Sequence, residues 1–274
     1  MGILNTTPDS FSDGGQLRSS ASGEGFRVSV DRALQRAERM VSDGASIVDV
    51  GGESTRPGAA RVSEQEEMDR VLPVVEALRQ RIDVAVSVDT SNPGVMRAAI
   101  AAGAGLINDV RALGRAGALE AVASQPHVSV CLMHMRGQPD TMQQQVAYSD
   151  VVEEVLGFLQ QRIDLCLAAG IERQRLIVDP GFGFGKTPAH NYQLLRDLGR
   201  FSALGAVVLI GISRKSMLGA ATGRDVDQRL AAGIAATAYG LLHGAMIVRT
   251  HDVAETVDAI RVNAAIAGAL SSQG

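Results

Sequence analysis

Apolar, β-branched runs that end on a polar residue and a glycine-rich or polar loop recur six times, as IVDVGGES, VSVDTS, LINDV, LIVDPGFGFGK, VLIGISRK and MIVRTHD. An amphipathic stretch of helical period follows each loop. Two further runs, GILN near the start and VSVCLMH in the middle, obey the same grammar and bring the count to eight. Strand, polar residue, loop and helix in eight repeats predict an α/β fold, a (β/α)8 TIM barrel forming one domain over residues 1–274. Every strand's carboxyl end then opens onto one face, so the polar strand ends mark where chemistry is expected.

The pattern fixes element positions in some detail. Strands are predicted at 47–50, 84–88, 106–107, 128–132, 176–178, 207–210 and 247–248, after a short first strand at the GILN run. Val30, Ala33, Leu34, Ala37 and Val41 recur at spacings of three and four, a stripe suited to lie on the barrel. Ser63 and Glu66 have capping-box spacing ahead of Val71, Val74, Val75 and Leu78. Asn92 followed by Pro93 is a helix start, since proline at the first helical position loses no hydrogen bond. A long helix carries Val152, Val155, Leu156, Leu159, Ile163 and Leu167, an alanine-rich one spans 225–243, and Asp252 with Glu255 is expected to cap the last. Residues 14–25, rich in Ser and Gly, carry no periodicity and are expected to form a functional loop on the active face.

A net charge of −4 argues against nucleic acid or an anionic membrane as a bulk partner, so any anion handling must be local. Cys131 falls in a strand and Cys166 on the apolar side of a helix, both reading as small buried hydrophobes rather than a disulfide. With no apolar run near bilayer length and no signal-peptide pattern, a soluble cytoplasmic protein is expected. Lys186 and Lys215 are the only lysines, each just after a strand. A surface position and a place in the site both remain open for Lys186.

Asp89, Asn108 and Asp179 end three different strands and should project into the barrel mouth. One such residue commonly just caps the next helix. Three facing the same space suit a nitrogen heterocycle with a guanidine-like edge, because a carboxylate accepts two parallel N–H bonds. A cationic group lies later in the chain: Ser213, Arg214 and Lys215 follow strand seven at an expected helix start, and Arg249 and His251 alternate along strand eight. Barrels bind phosphate beside these two strands, and Thr55 and Arg56 in the loop after strand two can add to such a site. GFGFGK is only a loose match to a phosphate loop, lacking the full spacing. No paired Cys or His has metal-ligand spacing. Any metal is therefore Mg2+ held mainly by substrate phosphates, with Asn5 the best-placed protein oxygen.

NTTPDSFSDGG, DVGGESTRPGA, DPGFGFGK, ISRKS and RTHD, in that order, resemble the dihydropteroate synthase family of pterin-binding TIM barrels from residue 2 to about 262. The resemblance implies transfer of a dihydropterinylmethyl group from 6-hydroxymethyl-7,8-dihydropterin diphosphate to p-aminobenzoate, giving 7,8-dihydropteroate and diphosphate in a Mg2+-assisted, SN1-like substitution. It also implies a homodimer and a sulfonamide target. By position, Asn5 matches the Mg2+ and diphosphate ligand; Thr55, Arg249 and His251 match diphosphate contacts; and Asp89, Asn108, Met133, Asp179 and Lys215 match the pterin pocket. Ser213, Phe184, Arg56 and Pro57 match the p-aminobenzoate side, and Phe11 and Asp13 a loop that closes over the site. Asp89, Lys215 and Asp13 are the candidates for a catalytic role. A pterin-binding methyltransferase would share the barrel but not the STRP, SRK and RTH motifs, and a non-catalytic paralogue need not keep Asn5, Arg56, Lys215 and His251.

Overall fold

The computed structural model describes residues 1–7, 28–53, 62–137 and 146–271. Its strands are β1 (Gly2–Asn5), β2 (Ile47–Gly51), β3 (Ala85–Asp89), β4 (Leu106–Asp109), β5 (Ser129–Met133), β6 (Leu176–Asp179), β7 (Val207–Ile210) and β8 (Ile247–Val248), all parallel and paired in sequence order. The ring joins through a bridge between Gly2 and Thr250, where the Ile3 N–H donates to the Thr250 carbonyl at 3.0 Å. Helices α1 (Val30–Ser42), α2 (Glu64–Arg81), α3 (Pro93–Ala101), α4 (Ala118–Ala123), α5 (Val151–Ala168) and α6 (Pro188–Arg196) each follow the strand of the same number. Two helices, α7 (Ser216–Thr222) and α8 (Leu230–Leu242), separate β7 from β8, and α9 (Val253–Ser271) ends the described chain.

Strand parity explains both the core and the site. Alternate residues of a strand face opposite sides, and in a closed barrel those sides are the helix layer and the interior. Val48, Val50, Val86, Val88, Ile107, Val130, Leu132, Val178, Val208 and Ile210 pack outward with the helices in one large cluster. Leu106, Cys131, Ile177 and Leu209, of opposite parity, form a separate inner cluster. Above that plug the inward positions turn polar, at Asp49, Ser87, Asn108, Asp89 and Asp179. Pairing runs Asn5 to Gly51 to Asp89 to Asn108 across four strands, and Met133 to Asp179 across the next two, so these residues share one rim.

Strands β2 to β6 extend at least one residue past the apolar runs, because Gly51, Asp89, Asn108, Met133 and Asp179 still pair with their neighbours. In β3 and β6 the polar residue, Asp89 or Asp179, is thus the last rung of the sheet and inherits its rigidity. Most caps agree with expectation. Ser63 Oγ accepts from the Glu66 N–H at 3.2 Å, Asn92 Oδ1 accepts from the Gly94 N–H at 3.4 Å, and Val71, Val74, Val75 and Leu78 of α2 are fully buried. The expected helix over 225–243 is shorter, with a 3-10 turn at Val226–Gln228 ahead of α8. Asp252 does not serve mainly as a cap, since its carboxylate is taken by Arg214. Cys131 and Cys166 are buried free thiols. No described helix is long and apolar enough to cross a membrane.

Candidate active site

The guanidinium of Arg249, just past β8, reaches across the mouth to two carboxylates. Its Nε lies 2.6 Å from Asp49 Oδ2 and its Nη2 lies 2.9 Å from Asp89 Oδ2. Asp49, 0% exposed, also accepts from Ser87 Oγ at 2.6 Å and from Asn108 Nδ2 at 3.1 Å. A buried carboxylate that accepts three hydrogen bonds is a fixed point, and here it anchors Arg249 and Asn108 together. Burial pushes the Asp89 carboxyl up to about 7 against the pull of Arg249, with Asp49 adding to the rise. Burial also works against the charge of Arg249, but Asp49 and Asp89 outweigh it and hold its pKa above the ordinary arginine value.

On the opposite wall Asp179, 5% exposed, accepts the Gly181 N–H at 2.7 Å. Burial raises its pKa, while Lys215 opposes the rise more than any other charge. The Lys215 ammonium donates to the Phe182 carbonyl and sits 4.6 Å from the centroid of the Phe184 ring, within cation–π range. Burial draws Lys215 down to about 8, with Asp179 pulling the other way. Met133 at the end of β5 borders a cavity of about 570 Å3 shared with Val110, Arg111, Met135 and Phe158.

Between these walls Ser213 Oγ lies 3.1 Å from His251 Nδ1 and accepts the His251 backbone N–H at 3.2 Å. Burial, then Arg249 and Arg214, lower the His251 pKa to about 3. The imidazole is therefore neutral, and it offers an N–H to an anion rather than the positive charge that the sequence reading supposed. The helix start is also later than expected: two residues separate Ser213 from α7, and one of them, Arg214, has φ +59 and is paired with Asp252. Asn5, half-buried at the end of β1, brings its Oδ1 beside Asp89 over the side-chain-free Gly51.

The structure thus gathers Asn5, Asp89, Asn108, Met133, Asp179, Phe184, Ser213, Lys215, Arg249 and His251 at one end of the barrel. Phe11, Asp13, Thr55, Arg56 and Pro57, and the 14–25 loop, lie outside the described residues. Two assignments blend: Asp89 and Arg249, set at opposite ends of a ligand by the sequence, touch each other, and Lys215 of the pterin set stacks on Phe184 of the other. Asp49 was missed. Its signal was present as a carboxylate at inward parity inside IVDVGG, but it lies two residues before the strand end where polar residues were sought. Lys186 proves buried, 3% exposed, rather than a surface lysine.

A family described as pterin binding enzyme matches residues 1–251. Dihydropteroate synthase of Haemophilus influenzae is 52% identical over 269 residues, which cover 98% of this chain and 94% of that one. Among solved structures, Yersinia pestis dihydropteroate synthase in complex with a sulfonamide drug superposes with a TM-score of 0.91 at 51% identity, over 98% of this chain and 94% of that one. The Xanthomonas albilineans dihydropteroate synthase with 4-aminobenzoic acid gives a TM-score of 0.87 at 49% identity, over 97% of this chain and 92% of that one. These relatives favour a synthase over a methyltransferase.

Proposed function

Because the chain belongs to the pterin-binding enzyme family, and within it is a dihydropteroate synthase, we propose that its rim residues join a dihydropterin diphosphate to p-aminobenzoate by an SN1-like substitution. The observation that carries this reading is the meeting of a guanidinium and two strand-end acids in one mouth, with Arg249 2.9 Å from Asp89 and its charge further favoured by Asp179. Asp179 accepts the N–H donors of the pterin's amino edge, Lys215 and Asn108 fix the ring's other heteroatoms, and Met133 packs against its face. Arg249 binds the diphosphate, giving up Asp89 as partner while Asp49 retains its Nε. His251 adds a neutral N–H, and Ser213 and Phe184 hold the carboxylate and ring of p-aminobenzoate. Thr55, Arg56 and Pro57, with Phe11 and Asp13, belong to the same reading on sequence grounds.

These placements serve the chemistry. As the C–O bond to diphosphate lengthens, Arg249 is already aimed at the charge that develops on the leaving group, so little reorganisation is needed. The carboxylate of Asp89 stabilises the cationic methylene left behind. A neutral arylamine captures that electrophile without a strong base. Mg2+ fits the oxygens present: it takes one or two protein oxygens and relies on phosphates and water for the rest. The Asn5 Oδ1 and an Asp89 oxygen lie 3.6 and 4.0 Å from the point where a side chain on Gly51 would begin. When bound there, the ion would share the negative charge of the diphosphate.

Mixing the protein with the pterin diphosphate, Mg2+ and p-aminobenzoate should release diphosphate in step with dihydropteroate. Diphosphate release that continues at the same rate without the arylamine, or no release with all components present, would end this reading.

A homodimer in a reducing cytoplasm completes the proposal. The buried free thiols are in keeping with the compartment. An apolar groove of about 460 Å3, lined by Tyr192, Leu195, Leu218, Ala232, Ala236 and Tyr239, runs between α6, α7 and α8; Leu242, three residues after Tyr239 on α8, and Met246, between α8 and β8, are 66% and 71% exposed. Exposed apolar surface of this kind supports an interface on this side of the barrel. The parent should sediment as a dimer and a Leu242→Asp, Met246→Asp double variant as a monomer; a monomeric parent would refute the assembly.

A further inference from the structure

Lys186 closes the DPGFGFGK loop, yet neither the ligand contacts proposed above nor the charges around Arg249 use it. Its Nζ lies 2.9 Å from the Gly181 carbonyl oxygen, 3.1 Å from that of Phe184, 2.9 Å from His134 Nδ1 and 3.3 Å from the His134 carbonyl oxygen. An ammonium has three protons to give, and four acceptors converge on it, two from its own loop and two from the end of β5. Burial and then Lys186 itself drive the His134 pKa down to about 2, so the imidazole is neutral and its Nδ1 is free to accept.

Around this tie the loops after β5 and β6 meet backbone to backbone. A Cβ on Gly181 would stand 1.9 Å from the His134 carbonyl oxygen, and one on Gly185 would stand 2.4 Å from that of Arg136. Both glycines have left-handed φ, +71 and +64, a region that side chains rarely adopt. The Tyr148 hydroxyl donates to the Gly185 carbonyl at 2.9 Å, and the Arg136 guanidinium lies 3.9 Å over the Tyr148 ring. Within the turn the Phe184 N–H donates to the Gly181 carbonyl at 3.2 Å. The carbonyl oxygens of Gly181, Phe184 and His134 carry like partial charges aimed at one point. Only the N–H donors of Lys186 make that convergence favourable, even though burial draws its pKa well below the ordinary lysine value.

We infer that Lys186 is a positioning residue that ties the loops after β5 and β6 into one wall and thereby sets how Phe184 faces the arylamine. The second half of this inference rests on the placement of Phe184 beside p-aminobenzoate under the proposed function. Asp179 should feel the tie much less, because its backbone is held in β6 by pairing with Met133 and by the His134 N–H on its carbonyl at 3.0 Å.

Lys186→Met keeps the length of the side chain and removes its donors. It should raise KM for p-aminobenzoate about tenfold, the scale of one or two lost hydrogen bonds, while affinity for the pterin diphosphate changes much less. Amide hydrogen exchange should accelerate together in peptides covering 134–137 and 181–186. Tyr148→Phe removes the second link, should shift both readouts the same way by less, and decides the matter if Lys186→Met does not fold. Unchanged KM in both variants, equal losses for both substrates, or faster exchange confined to 181–186 would each overturn the inference. Phe184→Ala separates the two readings: if it leaves KM for p-aminobenzoate unchanged, the placement of the arylamine is what fails, and the exchange data alone then test the tie.

Discussion

Asp179→Ala is expected to abolish binding of the pterin ring, whether or not the ring carries diphosphate. Two charge-assisted hydrogen bonds to the amino edge contribute about 1.5–3 kcal/mol each, so their loss weakens binding by about two to four orders of magnitude. The effect is amplified because Lys215 also loses the carboxylate that most favours its charge. Asp179→Asn is the useful companion, since an amide oxygen can still accept the Gly181 N–H at the position now 2.7 Å away. It should fold like the parent and still fail to bind, because its amide offers a donor where the ligand also offers one. Titration calorimetry with the bare pterin and with its diphosphate reads both. Retained pterin affinity in Asp179→Asn would remove this residue from the pocket.

Arg249→Met should separate the two halves of the ligand and also cost stability. Affinity for the pterin diphosphate should collapse while the bare pterin is largely spared; equal losses for both ligands in this variant and in Asp179→Ala would refute that division of labour. Removing the guanidinium leaves Asp49 and Asp89 facing each other without a cation. Breaking a buried pair in this way costs about 3–5 kcal/mol, roughly 10 °C in melting temperature for a chain of this size. The deficit should depend on pH with a definite sign. Asp89 stands at about 7 in the folded parent, above the unfolded carboxyl value near 3.8, and loss of Arg249 moves it higher. A carboxyl raised by folding carries no penalty below its unfolded pKa; the penalty grows as pH rises and is complete only above the folded value. The melting deficit should therefore be smaller at pH 5.5 than at pH 8, by roughly one kcal/mol or more. A deficit that is equal at both pH values, or larger in acid, would show that repulsion between these carboxylates is not its source.

Much of this protein was legible in one dimension because its constraints are local. A β-branched run is extended, a 3.6-residue stripe is a helix, and eight alternations of the two leave few topologies besides a closed parallel barrel. Asn5, Asp89, Asn108, Asp179, Lys215, Arg249 and His251 were found because the fold puts every strand's carboxyl end on one face, so position along the strand already implied position in space. The capping positions Ser63 and Asn92 were equally local, as each acts on a backbone N–H two or three residues away.

Contacts between strands were not legible, since nothing in a strand's own sequence states which neighbour's side chain it will meet. Asp49 and Arg249 are 200 residues apart and 2.6 Å from one another. Only closure of the ring brings β8 to within one strand of β2 at one narrow mouth, and only there does a lone inward aspartate become the anchor of the site. The neutrality of His251 and the burial of Lys186 are decided in the same way, by which charges and carbonyls the packed loops bring near and how far they exclude water. Residue type, strand parity and chain order thus determined the fold and which side chains reach the rim; tertiary packing decided their partners and protonation states, because Coulomb and desolvation energies depend on distances that exist only once the barrel has closed.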